Sequence, residues 1–334
     1  MTTETPITQN RVKPSSEVKA SVLHGVKELK IETRPLPLPS PSEVQVAVQA
    51  TGLCGSDLHY YNHYRNGDII VQEPLTLGHE SSGIVTAVGS EVTNLKVGDR
   101  VALEVGLPCL ECLGAILEPL GVAIHGSRRA ALKPGSTVLI FGAGAVGLLC
   151  AAMSKYSGAK TVVIADIQAD RVDFAVQNQF ADAKIVVPMK RYTEIQEKLA
   201  FAKEVAEMAK SVSGVGEVDA VFECTGVESC LQAAIYSTRP GGKIMLIGMG
   251  SPIQTLPISA AALREVDLVG VFRYANTYEE AIKIVSSGSP LLPDLTKLIT
   301  QRYTGLDDIP MAFAMAGRVK DDEGKLVLKV VVET

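Results

Sequence analysis

The sequence carries no surplus of basic residues: 32 Lys and Arg stand against 37 Asp and Glu, a net charge of −5 at pH 7. Without a basic footprint, neither nucleic acid nor an anionic membrane is expected as a partner. A bilayer-spanning run is also missing. The longest apolar stretch, Val138 to Met153, is interrupted by Gly142, Gly144 and Gly147 and is too short to cross a membrane. Residues 1–20, rich in Thr, Ser, Pro and Lys, hold no apolar segment that would direct secretion, and read as a disordered, solvated tail. The six cysteines (Cys54, Cys109, Cys112, Cys150, Cys224 and Cys230) are dispersed, so reduced thiols or metal ligands are expected and a disulfide framework is not. There is no Trp, and aromatic residues make up only 5%. What remains, 46% hydrophobic and 21% charged over 334 residues, is the balance of a globular chain with room for two domains. A cytoplasmic enzyme is the expectation these absences leave.

From Ser21 to about Arg100 the chain is strand-like. "EVQVAVQAT" alternates apolar and polar positions, and "SSGIVTAVGSEV" and "VGDRVALEV" are β-rich runs bounded by Gly and Asp turns. Short strands at that spacing point to a small barrel or sandwich. After Leu117 the character changes. "TVLIF", "TVVIAD", "KIVVPM", "DAVFECTG" and "GGKIMLIG" are buried-strand candidates, and "TEIQEKLAFAKEVAEMAKSV" has apolar positions at helical spacing. Alternating strand and helix implies an α/β fold with a doubly wound parallel sheet. The tail adds a helical "YEEAIKIVSSG" and a final strand in "KLVLKVVVE".

Gly142-x-Gly144-x-x-Gly147 follows "TVLIF" and opens a helix-compatible stretch. Glycines there allow a tight turn, close approach of the backbone to a pyrophosphate, and close packing of helix on strand; the helix N-terminus offers free N–H groups. Such a turn alone is common. Here a second strand ends in Asp166, nineteen residues beyond Gly147, where a carboxylate binds a ribose 2′-hydroxyl and repels a 2′-phosphate, favouring NAD over NADP. Arg171 either reaches the adenosine ribose or is a solvated helix residue.

A second constellation joins Cys54-Gly55-Ser56-Asp57-Leu58-His59 to Gly78-His79-Glu80. A thiolate and an imidazole in one cleft suit Zn²⁺, and an open fourth position would make the site catalytic. Glu80 and Glu118 each offer an oxygen, and only one of the two need bind directly.

Taken together, "ATGLCGSDLHYY", "LGHESSGIVTAVG", "VGDRVALE", "LEPLGVAIHG", "FGAGAVG" and "GVFRYANTY" make the chain resemble the zinc-dependent medium-chain dehydrogenases, and more narrowly their polyol branch of sorbitol, xylitol and L-arabinitol dehydrogenases. The likeness runs from about Ser21 to the end. It implies a GroES-like β-rich catalytic domain over 21–117, a Rossmann domain over 118–273, and a return to the catalytic domain over 274–334. It implies that Cys54, His79 and Glu80 ligate one catalytic zinc, that Glu118 ligates it or holds its water, and that Asp57 orients His79. Ser56 and His59 match a proton relay to solvent, although His59 also reads as an exposed polar residue. Tyr60 matches a substrate-pocket aromatic or simple core packing. Arg273 matches a group near the zinc-bound water or an interdomain salt bridge, and Tyr274 stands beside it in the polyol signature. Val146 and Val271 join the expected cofactor contacts. The implied reaction passes hydride from a secondary alcohol to C4 of the nicotinamide, after zinc has acidified the hydroxyl.

One departure stands out. In the family, a C-x-x-C such as Cys109 and Cys112 opens a lobe with two further cysteines that complete a structural zinc, and a long segment follows. This chain passes from Cys112 to Glu118 in six residues. Cys150, Cys224 and Cys230 belong to the nucleotide half, so the structural zinc is expected to be absent. A redox role for the pair has no helix N-terminus to support it. Two other readings follow from the short connection: a catalytically impaired NAD-binding protein, and a dehydrogenase of a biosynthetic pathway acting on a larger alcohol. Relatives assemble through the Rossmann sheet edge and the lobe, so a homo-oligomer, dimer or tetramer, is expected.

Overall fold

A computed structural model describes residues 17–67, 69–104, 114–214 and 216–334. The first part comprises β1 (Glu17–Gly25), β2 (Glu28–Pro35), β3 (Val44–Gly52), α1 (Gly55–His63), β4 (Arg65–Asn66), β5 (Ile69–Ile70), β6 (Leu75–Thr76), β7 (Glu80–Val88) and β8 (Arg100–Glu104). Helix α2 (Gly114–Ala130) leads into β9 (Thr137–Phe141), α3 (Ala145–Tyr156), β10 (Thr161–Asp166), α4 (Ala169–Gln177), β11 (Ala183–Val186) and α5 (Ile195–Ser213). The alternation continues through β12 (Val218–Glu223), α6 (Glu228–Ser237), β13 (Thr238–Leu246), α7 (Ile258–Ala262) and β14 (Asp267–Gly270). The chain closes with α8 (Tyr278–Ser286), β15 (Ile299–Thr304), α9 (Ile309–Ala316) and β16 (Lys329–Glu333).

Strands β9 to β14 form one parallel sheet of six in the order β11-β10-β9-β12-β13-β14. The hydrophobic run of β9 explains its central place, because all five residues are buried. Alternation sends Val138 and Ile140 into one apolar layer with Leu120, Ile124 and Leu148, and Leu139 and Phe141 into the opposite layer with Phe201, Val205 and Leu231. Ile140→Ala should therefore lower the unfolding free energy by about 2–5 kcal/mol, read as a reduced urea midpoint. Winding reverses between β9 and β12, which opens a crevice at the carboxyl ends of those strands.

The other large sheet has the order β15-β16-β3-β7-β8. Strand β16 lies antiparallel to β3 with Val331 opposite Gly52, and β7 lies antiparallel to β3 with Glu80 opposite the same Gly52. The exit of β3 and the starts of β7 and β16 thus meet at one point. A three-stranded sheet, β2-β1-β6, contributes Leu29 to the apolar cluster around Val330 and Val332.

The structure departs from the sequence reading in places. Glu17 to Ala20, expected in the tail, are in β1 and pair with Pro35 to Glu32; backbone hydrogen bonds hold this polar edge where side-chain burial does not. Residues 1–16 lie outside the described residues. Helix α2 runs unbroken across the expected boundary at 117/118. Helix α1 and the short strand β14 carry too weak a periodicity to be read in advance. Among the described residues, no helix is long and apolar enough to cross a membrane.

Candidate metal and cofactor site

Cys54 closes the loop after β3 and caps α1, while His79 and Glu80 stand where β7 begins. One ligand atom from each of the three, a sulfur, a nitrogen and an oxygen, lies within 4.8 Å of the other two. Asp57, buried in the first turn of α1, organises the cluster. Its Oδ2 accepts from the Cys54 N–H at 3.0 Å, and its Oδ1 accepts from the Gly78 N–H at 3.1 Å and from His79 Nδ1 at 3.2 Å. His79 Nε2 is left facing the cluster, 3.5 Å from Ser56 Oγ. Burial opposes charging of His79, but Asp57 and Cys54 override it and hold the imidazolium up to about 11. A divalent cation would take the place of that proton.

Glu80 is 0% exposed and Lys329 4%, and the Lys329 ammonium contacts Glu80 Oε2. Burial alone would discharge the lysine; the Glu80 carboxylate instead keeps it above its ordinary value. Glu80 Oε1 has no hydrogen-bond partner. A buried carboxylate oxygen left without a partner beside a sulfur and an imidazole fits a metal ligand. Lys329 escaped the sequence reading because nothing local distinguishes it from the other lysines of the tail.

Glu118, buried on α2, stands outside the three-ligand set but within its field. Burial and the Glu80 carboxylate push it up to about 7, while His79, Lys329 and Arg273 pull the other way. Glu118 therefore lies within the electrostatic reach of Glu80 and His79. Cys109 and Cys112 lie outside the described residues. Arg273 is exposed, with a left-handed backbone (φ 47°), and its guanidinium lies 5.8 Å from the Phe272 ring. Tyr274 is half-buried against Gly121, its ring 5.4 Å from that of Tyr278. Tyr60 is half-buried on α1, and His59 is exposed there with its ring 6.1 Å from His63.

At the carboxyl end of β9, Gly142 takes φ 97° and Gly144 caps α3 without a side-chain bond. A Cβ on Gly147 would lie 1.8 Å from the Gly142 carbonyl oxygen, whereas one on Gly144 would meet nothing within 4 Å. The helix start is thus open on the side a phosphate would approach, which fits a dinucleotide cradle. Val146 lies half-buried in the first turn of α3. Asp166 ends β10 and accepts from the Ala143 N–H at 2.7 Å and the Gln168 N–H at 2.9 Å, one bond to each oxygen. Each oxygen retains capacity for a hydroxyl donor. Arg171 reaches back to the Val327 carbonyl at 3.5 Å, and its Nε is buried without a partner. The Val271 side chain packs into the core.

A fold of this kind with such a donor set defines a class. The alcohol dehydrogenase GroES-like domain profile matches residues 40–159, and the zinc-binding dehydrogenase profile matches residues 145–287. A probable D-xylulose reductase A from Arthroderma otae is 38% identical over 329 residues, spanning 83% of this chain and 89% of that one. The chain belongs to the zinc-binding medium-chain dehydrogenases, oxidoreductases that work with zinc and a nicotinamide dinucleotide. Sorbitol dehydrogenase of Gallus gallus, 36% identical over 85% of this chain and 89% of its own, places the protein in the polyol branch. The structure of 2R,3R-butanediol dehydrogenase from Bacillus subtilis, 26% identical, superposes with a TM-score of 0.74 over 95% of this chain and 99% of that chain.

Proposed function

We propose that the protein oxidises a polyol or another secondary alcohol to a ketose or ketone, passing hydride to NAD. The observation that carries this reading is the cluster of Cys54, His79 and Glu80 with an unpartnered Glu80 Oε1, placed where the charge of Arg273, just past β14, still reaches Glu118. Such convergence of the pocket residues argues against a collapsed substrate domain.

When bound, zinc polarises the alcohol oxygen and the nicotinamide takes up hydride. The chain's own residues do the rest. Cys54, His79 and Glu80 would hold the metal, and Glu118, outside that set, would hold a water beside it. Ser56 would accept the hydroxyl proton while passing its own on, and His59, exposed on α1, would release one to solvent. Tyr60, Arg273 and Tyr274 orient the alcohol. Gly142, Gly144, Val146 and Gly147 seat the pyrophosphate at the start of α3. Asp166 binds the adenosine ribose and disfavours a 2′-phosphate, with Arg171 at its edge and Val271 backing the crevice.

Metal analysis alongside activity on a panel of pentitols and hexitols tests this reading. We expect one zinc per chain and NADH formed from xylitol or sorbitol, with NADP a poor substitute. A zinc-free active enzyme, or no turnover of any sugar alcohol, would overturn it. Two zincs per chain would show that Cys109 and Cys112 still bind metal. Asp57→Ala should weaken zinc binding by roughly 10–100-fold in a chelator competition, because three donors lose their common acceptor.

This reading includes cytoplasmic action as a homo-oligomer. Support for assembly comes from the open edge of β14, flanked by Leu263 (86% exposed) and Phe272 (71% exposed). Sedimentation should return a dimer or tetramer.

A further inference from the structure

Glu223 ends β12 at the point where the sheet's winding reverses, and it is 3% exposed. It is a buried acid that nothing in the metal site uses. Its Oε1 accepts from the Thr225 N–H at 2.8 Å, from the Gly226 N–H at 3.1 Å and from the Thr225 hydroxyl. Its Oε2 accepts from the same Gly226 N–H at 3.0 Å. Burial pushes the carboxyl above its ordinary value, and the bonds from Thr225 and Gly226 pull against that.

The turn that Glu223 grips touches both walls of the crevice. On one side, a Cβ on Gly142 would lie 3.0 Å from Thr225 Cγ2, so Thr225 sits against the first glycine of the phosphate turn. On the other, a Cβ on Gly248 would lie 2.0 Å from the Gly226 nitrogen, and one on Gly250 2.0 Å from the Gly226 oxygen. These segments meet backbone to backbone. The Glu223 carbonyl adds bonds from Ile247 N–H at 3.0 Å and Gly248 N–H at 2.8 Å, tying the second wall to the same residue. A displaced Thr225–Gly226 turn would therefore move against Gly142 and Gly248 together.

We propose that Glu223 is a positioning residue for the dinucleotide, its carboxylate setting the separation of the Gly142 turn and the Gly248–Gly250 segment across the crevice. The inference rests on the cofactor reading above. It concerns a wall of the crevice, where Asp166 and the α3 start concern the ligand directly. A buried carboxylate is costly unless its oxygens are hydrogen-bonded, so the donors of Thr225 and Gly226 are held to Glu223.

The test is equilibrium titration of the full-length, zinc-loaded protein with NADH, followed by fluorescence, with amide exchange measured on the same samples. Glu223→Gln keeps the side-chain length but turns an amide N–H towards the Gly226 N–H. It should raise the NADH Kd about tenfold, the loss expected for bonds to a charged acceptor. Exchange at Thr225, Gly226 and Val227 should quicken while zinc content stays unchanged. Thr225→Val removes only the hydroxyl arm, preserves the shape, and should raise the Kd by roughly threefold; it decides the matter if Glu223→Gln does not fold. A folded Glu223→Gln protein, or Thr225→Val, with a lower melting temperature but an NADH Kd within twofold of wild type overturns the inference. Wild-type protein that binds no NADH defeats the cofactor reading along with it.

Discussion

His79→Ala should leave a folded protein that retains well under one zinc per chain and has lost at least about a thousandfold in kcat/KM for its alcohol. The size follows from what a bound divalent ion supplies to the charge developing on oxygen, several kcal/mol, at 1.36 kcal/mol per tenfold in rate. Removing one of three protein donors breaks the site. The fold should survive, because His79 is half-buried at the mouth of β7 and the α1 start remains tied through Asp57 to Cys54 and Gly78. Elemental analysis and steady-state kinetics on the same preparation check both parts. Full zinc with full activity in His79→Ala would place the metal elsewhere and undo the proposed reaction.

Lys329→Met should destabilise the metal-free protein by about 3–5 kcal/mol, the cost of leaving one member of a buried pair without its partner. Glu80 has no exposure to water and Lys329 almost none, so neither charge can be screened by solvent once the other is gone. Adding Glu80→Gln to Lys329→Met should recover much of the loss in the metal-free state, because the orphaned charge disappears with it. Zinc on Glu80 supplies a substitute positive charge, so the zinc-loaded single variant should lose less than the chelated one. Denaturant melts with and without chelator read all of these differences. A Lys329→Met protein as stable as wild type when metal-free would refute the buried Glu80–Lys329 ion pair.

The nucleotide half was legible because its signals are local. Glycine spacing, a strand ending in an acid, and apolar runs such as "TVLIF" each state their own structure, since turn conformation and two-faced burial depend on neighbours a few residues away. Cys54, Asp57, His79 and Glu80 were legible as donor types at short spacing. Their meeting was not, because it depends on β3, β7 and β16 lying side by side.

By itself, then, the sequence determined the α/β alternation, the glycine turn with Asp166, and the kinds of atoms offered to a metal. Only the tertiary structure decided that Lys329 faces Glu80, that Glu118 feels the charges of Glu80 and His79, and that Glu223 grips the Thr225–Gly226 turn. The physical reason is range: propensity and turn chemistry act along the chain, whereas charge pairing and the desolvation behind it act between residues that only strand order makes neighbours.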